Sequence, residues 1–259
     1  MIHNIIADKP TRLFLILGGF FVANALIAEV IGVKIFSLED TLAIPRADFS
    51  LLGTQHLSFS LSVGVLPWPV VFVLTDIINE YYGVKGVRFL SILTAALISF
   101  AFIIFYFAIK TSPDTAWWID SYKDAGIPDM QAAFAGIFGQ GMNIIVGSVS
   151  AFIIGQIADA FVFRRIKVFT GEKGIWMRAT VSTLISQLID SFVVTYIAFY
   201  VFRGVDFGQC TAWAMTSYTY KFIIAILFTP VVYFIHWLVE KYLGKELASE
   251  MKTSAMKGY

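Results

Sequence analysis

The 259-residue sequence has a single cysteine, Cys210, so no disulfide can form within the chain. Its three histidines, His3, His56 and His236, lie too far apart for zinc-ligand spacing, and neither a structural metal nor a cofactor is expected. Charge is scarce as well: 14% of the residues are charged, where a soluble domain carries about 25%. A net charge of +1 leaves no basic surplus to meet a phosphate backbone, which argues against nucleic acid as a partner. No GxSxG, HExxH, P-loop or CxxC pattern occurs, so an enzyme is the least supported class.

What the chain has in quantity is apolar surface. Hydrophobic residues make up 58%, mean hydropathy is +0.76, and there are 25 Phe, 11 Tyr and 6 Trp. This composition predicts an all-α integral membrane protein, one membrane domain over 1–259 with six transmembrane helices at about 13–33, 60–82, 89–109, 135–163, 179–202 and 218–240. The basic start and the small residues Ala23 and Ala25 imitate a signal peptide, yet the apolar run continues past any such cut and is long enough to span. With six spans both termini share one side. Thirteen Lys and Arg fall on that side and five on the other, which predicts cytoplasmic termini. Trp117 and Trp118 in the loop 110–129 suit the lipid–water boundary.

Against this background polar groups inside spans stand out, because they are costly in lipid and often functional. They are Asn24, Glu29, Asp76, Asn79, Glu80, Asn143, Gln156, Asp159, Gln187, Asp190 and Lys221. The densest stretch is Pro67 to Gly83, in which Asp76, Asn79 and Glu80 share one helical face. Helix from Pro69 to Tyr82 would cover only about 20 Å. The span is therefore expected to begin near Ser60 and to bend or break at Pro67 and Pro69, and the turn 83–88 to be a hairpin. Asp190 falls near the midplane, about 18 Å from the cytoplasmic end of its helix. Glu80 and Asp159 lie shallower, where snorkelling to water or pairing with Lys85, Arg164 or Arg165 competes with function. Glu29 and Lys221 both fall in the outer half, where a structural Glu–Lys bridge competes with ligand contact.

Carboxylates and amides near the midplane of a bundle with a broken helix suit recognition of a solute. A guanine-like edge fits them: two N–H donors for a carboxylate such as Asp190 or Asp76, and a carbonyl for Gln156, Gln187 or Lys221. Trp68, Phe72, Tyr196 and Tyr220 are candidates for a flat slot around such a ring, although most aromatics of a bundle simply pack.

The run Thr75-Asp76-Ile77-Ile78-Asn79-Glu80-Tyr81-Tyr82-Gly83, the segments Gln156-Ile157-Ala158-Asp159 and Gln187-Leu188-Ile189-Asp190, and Tyr220-Lys221 opening the last span together resemble the queuosine precursor transporter family, also called the vitamin uptake transporter family. It is related in fold to the substrate-binding subunits of energy-coupling-factor transporters. The likeness covers about 13–240 and departs in the longer segment between Lys34 and Ser60. It implies an importer of 7-cyano-7-deazaguanine or 7-aminomethyl-7-deazaguanine in the bacterial inner membrane. Asp76, Asn79, Gln156, Gln187, Asp190 and Lys221 are the expected substrate-binding residues: Asp76 and Asp190 accept ring N–H groups, the glutamines pair with amide edges, and Lys221 meets a carbonyl or balances charge. The expected partners are that small molecule and the lipid bilayer. Gly136, Gly139, Gly141 and Gly147 could pack helices within one chain or across a homodimer. Two other readings stand beside this one: a vitamin-binding subunit that needs an ATPase partner, and a scaffold whose buried charges only hold helices together.

Overall fold

The computed structural model describes residues 8–114, 117–139, 142–170 and 175–257. Helix α1, Lys9–Ile31, starts where the Asp8 carboxylate accepts a hydrogen bond from Thr11 N–H at 2.9 Å, with Pro10 in the first turn, where no intrahelical N–H is needed. Leu13, Leu17, Phe21, Ala25 and Ala28 form its buried stripe, and α1 packs mainly on the following long helix.

That helix, α3, spans Trp68–Lys110 and is interrupted at Gly83, whose φ of 69° and ψ of −175° are not helical. Straight, it would be about 64 Å long, twice a hydrocarbon core. It is not straight. Ile78 Cγ2 lies 3.4 Å from where a Cβ on Gly86 would sit, whereas eight residues of straight helix separate two positions by about 12 Å. Asn24 of α1 donates to the Pro67 carbonyl at 2.7 Å, Phe14 lies against both Tyr82 and Phe89, and Gly18 faces Leu90. The limbs 68–82 and 84–110 therefore run back past each other, and the expected hairpin contracts to a turn at Gly83.

The start of this element differs from the expectation of a span beginning near Ser60. The segment before it is extended: strands β1 Ile35–Ser37 and β4 Ser60–Ser62 pair antiparallel, and so do β2 Phe49–Leu51 and β3 Thr54–Leu57, with the short helix α2 Leu38–Thr41 between β1 and β2. A 3-10 turn, Val63–Val65, then leads into α3. Pro67 and Pro69 have no N–H to continue a helix backwards. Gly64 is also pressed against α1, where a Cβ would stand 2.6 Å from the Ala28 carbonyl oxygen.

Beyond α3, helix α4 covers Met130–Phe138 and ends at Gly139, and α5 covers Met142–Thr170. The expected span over 135–163 is thus two helices, the second running further than expected. Gly141 and the side chain of Asn143 lie outside the described residues. Gly147 packs within the chain, its Cβ position 3.3 Å from the Val194 carbonyl oxygen. Helix α6, Ile175–Thr195, continues into a π-helical segment, Tyr196–Val201.

The last expected span, 218–240, is a bent pair. Helix α7, Phe207–Leu227, begins eleven residues earlier than expected because Asp206 caps it, accepting from Gly208 and Gln209 N–H. Helix α8, Thr229–Leu243, follows at 45°, with Pro230 in its first turn. Beyond the last expected span the tail forms a helix, α9 Lys245–Lys257: Leu247, Ala248 and Met251 pack on the main core, and Lys252 bonds Glu240. Among the described residues four helices can cross a membrane by length and composition, Lys9–Ile31, Val63–Lys110, Ile145–Thr170 and Ala179–Val201, or five if the bent pair counts as one span.

Candidate functional site

Residues of four helices enclose a cavity of about 550 Å³, its open side included. The first limb of α3 contributes Trp68, Phe72 and Asp76, spaced four apart so that they line one face. The rings of Trp68 and Phe72 lie 6.1 Å apart, and the Asp76 carboxylate sits one turn deeper, buried. Helix α6 presents Thr180, Thr183 and Gln187, again one stripe. Helix α7 presents Tyr220, Lys221 and Ile224, and its break from α8 supplies Phe228 and Thr229.

The polar groups of this cavity are few and mixed in type. Gln187 is buried, and its Oε1 has no hydrogen bond among the described residues. Lys221 Nζ lies 2.6 Å from Asp190 Oδ2, with side-chain exposures of 11% and 23%. The Thr180 and Thr229 hydroxyls meet at 3.4 Å, bridging α6 to α8. A carboxylate, an unsatisfied amide oxygen, a lysine held by a counter-ion and two aromatic faces can bind a planar polar ring on both its face and its edge.

Of the six residues expected at the site, Asp76, Gln187 and Lys221 line the cavity, and Asp190 reaches it through Lys221. Gln156 and Asn79 do not line it. Gln156 accepts from Thr75 Oγ1 at 2.9 Å, and Asn79 donates to the Ala160 carbonyl at 3.2 Å, so both tie α3 to α5. Asn79 instead borders a smaller pocket of about 250 Å³ with Arg164, Lys167, Ala255 and Met256. Trp68, Phe72 and Tyr220 stand in the slot as expected, whereas Tyr196 bonds Thr211 and packs beside Phe192. Thr180, Thr183 and Thr229 escaped the sequence reading. The i, i+3, i+7 spacing of Thr180, Thr183 and Gln187 was their available signal.

Two shallow carboxylates differ from expectation. Glu80 is not at the surface: its carboxylate lies 3.1 Å from Lys167, with exposures of 1% and 5%. Asp159 is fully buried and accepts from Ser186 at 3.2 Å. Helix packing removes both from water, because α5 is covered here by α3 and α6. Glu29 accepts from Ser148 at 2.6 Å, while Lys221 is engaged by Asp190.

Long apolar helices enclosing a largely apolar cavity with a few polar groups define a polytopic membrane protein of the solute-carrying kind. The chain belongs to the vitamin uptake transporter family, whose model, described as "Putative vitamin uptake transporter", matches residues 62–235. The chain is similar to the "Probable queuosine precursor transporter" of Bacillus subtilis, 26% identical over 192 residues, 72% of this chain and 77% of that protein. It is similar to the protein of the same description from Haemophilus influenzae, 26% identical over 70% of this chain and 71% of the relative. It is also similar to the "Queuosine precursor transporter" of Escherichia coli, 25% identical over 85% of this chain and 91% of the relative. No solved structure matches it significantly.

Proposed function

We propose that the protein imports queuosine precursors, 7-cyano-7-deazaguanine or 7-aminomethyl-7-deazaguanine, across the bacterial inner membrane. The carrying observation is the cavity, in which a carboxylate, an amide and a lysine face two aromatic rings. Asp76 accepts the paired N–H donors of the guanine-like edge. Gln187, whose Oε1 has no hydrogen bond among the described residues, completes the edge, and Lys221 meets the ring carbonyl while Asp190 balances its charge. Trp68, Phe72 and Tyr220 hold the ring faces. The names of the three relatives support the same solute.

The fold-back at Gly83 supports six crossings, since the 48-residue segment Val63–Lys110 then counts twice, and the Lys and Arg distribution supports cytoplasmic termini. The test is queuosine in tRNA of bacteria that neither make the precursor nor carry their own importer, supplied with external 7-deazaguanines at nanomolar concentration. Queuosine should appear only when this protein is present, and should be lost in Asp76→Asn with the protein still in the membrane. Its absence with the wild-type protein inserted would remove the assignment, and copurifying ATPase subunits would favour the vitamin-subunit reading.

A further inference from the structure

The wall between α5 and α6 holds a carboxyl group that the cavity does not use. Asp159 has no exposed surface, and neither have Ser182 and Ser186, the hydroxyls that face it from α6. Ser186 Oγ is 3.2 Å from Asp159 Oδ1, but it also lies 3.0 Å from the Thr183 carbonyl oxygen, so its single proton is shared. Asp159 Oδ2 has no hydrogen bond among the described residues. An ionised carboxylate offers about four acceptor sites and needs donors or a cation when taken out of water. Here it has two shared hydroxyl donors, Ser186 and Ser182, the latter also bonded to the Ala179 carbonyl, and no ion pair among the described residues.

The charged groups on the surrounding elements are otherwise placed. On α3, Asp76 faces the cavity and Glu80 is paired with Lys167 of α5. On α6, Asp190 holds Lys221. Helix α9 meets α5 further along, where Ala255 and Met256 border the small pocket with Arg164 and Lys167. The π-helical segment that also packs on α5 carries no charge. No group of three or more His, Cys, Asp or Glu side chains able to hold a metal occurs among the described residues.

We propose that Asp159 is a proton-binding site that couples inward proton movement to transport. In the conformation described Asp159 carries the proton. Release of that proton leaves a bare carboxylate that must gain donors or water, and the element able to yield is α6, which meets α5 here in ordinary van der Waals contact, a Cβ on Gly155 standing 3.7 Å from the Ser186 carbonyl oxygen. The same helix presents Thr180, Thr183 and Gln187 to the cavity, so a shift that solvates Asp159 reshapes the solute site. The proton enters from one side of the membrane and leaves to the other, and no other species is consumed.

The coupling rests on the transport reading, whereas the proton does not, and the experiment separates them. Infrared difference spectra of the full-length protein in nanodiscs, wild type minus Asp159→Asn, should show the C=O stretch of a protonated carboxyl at neutral pH. Ser186→Ala should move that band to higher frequency, and this second variant decides the matter if Asp159→Asn does not fold. A spectrum without a carboxyl band that depends on Asp159 or Ser186 overturns the site. In vesicles, an inward proton gradient should drive accumulation of labelled 7-aminomethyl-7-deazaguanine by the wild type. Asp159→Asn should exchange label at the wild-type rate but fall to onefold accumulation. Accumulation unchanged by the gradient, or driven by sodium instead, overturns the coupling. Wild-type vesicles that move no ring would sink the substrate assignment, with the infrared band still deciding the proton.

Discussion

Among the described residues, two carboxylate–lysine pairs lie inside the bundle, and they differ in burial. Asp190 and Lys221 meet at 2.6 Å beside the cavity and keep some exposure, whereas Glu80 and Lys167 meet at 3.1 Å with almost none. Lys167 also donates to the Glu80 backbone carbonyl at 2.8 Å, so this lysine is tied to α3 by side chain and main chain together. A pair that borders a cavity can trade its partner for a solute, because desolvation on binding is partial and a polar ligand replaces the lost bond. The more deeply buried pair, whose Lys167 only borders the small pocket beside Asn79, acts as a clamp between helices. Identical chemistry therefore serves recognition in one place and cohesion in the other, with burial making the difference.

Breaking one side of the more deeply buried pair should have the largest effect. Lys167→Ala leaves the Glu80 carboxylate in a dry site, and removing one partner of a buried pair costs about 3–5 kcal/mol. Thermal unfolding of the purified protein in detergent should show this as a large fall in midpoint, recovered in part by Glu80→Gln in the same chain. A second lysine variant that unfolds no earlier than wild type would erase the distinction between the pairs. Next comes Gly83→Ala. Its φ of 69° lies in the left-handed region, and an added Cβ would stand 3.0 Å from the Ala255 carbonyl oxygen of α9. With ψ of −175° this is a conformation that essentially only glycine adopts. The penalty alone is about 1–3 kcal/mol, read in the same unfolding assay, and the turn between the limbs and the packing of α9 should loosen together.

Lys221→Met tests the less deeply buried member of the comparison. Stability should change by about 1 kcal/mol, the scale of a pair that is not fully buried. Queuosine formation should fall about 10- to 100-fold, the equivalent of one charge-assisted hydrogen bond of about 1.5–3 kcal/mol to the solute. If Lys221→Met instead costs as much stability as Lys167→Ala while sparing uptake, then Asp190 and Lys221 are a clamp as well, and the cavity reads its solute through Asp76 and Gln187 alone.

The distinction was only half legible in the sequence. Hydropathy and periodicity expose the apolar helices, and the chain positions of Asp76, Gln187 and Lys221 identify groups that do share a cavity. Pairing is another matter, because it depends on which helices touch. Nothing local says that Lys167, beyond the expected end of the span at 163, continues α5 and turns inward to Glu80. Gln156 and Asn79 look identical to Gln187 in one dimension, yet they bond across the α3–α5 seam. The start of α7 was missed because Gln209, Thr211 and Ser217 dilute hydropathy, although Asp206 just ahead is a capping residue. Helix α9 carried its signal in Leu247, Ala248, Met251 and Ala255, a helical stripe within a charged tail.

The smallest effect is expected farthest from both pairs, in the segment of short strands ahead of α3. Burial pushes the Glu39 carboxyl upward, but hydrogen bonds from Phe59 N–H at 2.8 Å and from Ser37 outweigh it and hold the group below its ordinary value. With the folded value depressed, the stabilisation is present above the unfolded carboxyl range and is lost as pH falls through the folded value. Acidification below about pH 4 should therefore release the Phe59 amide first. Amide hydrogen exchange checks this: exchange at Phe59 should accelerate on acidification beyond the intrinsic pH trend, while amides of α3 beside Asp76 keep their protection. Glu39→Gln should remove the pH dependence and leave queuosine formation unchanged, since the hydrogen bond to Phe59 then no longer titrates and the residue lies outside the cavity. Loss of uptake in that variant would instead tie this segment to the mouth of the solute site, through Val65 at the cavity edge.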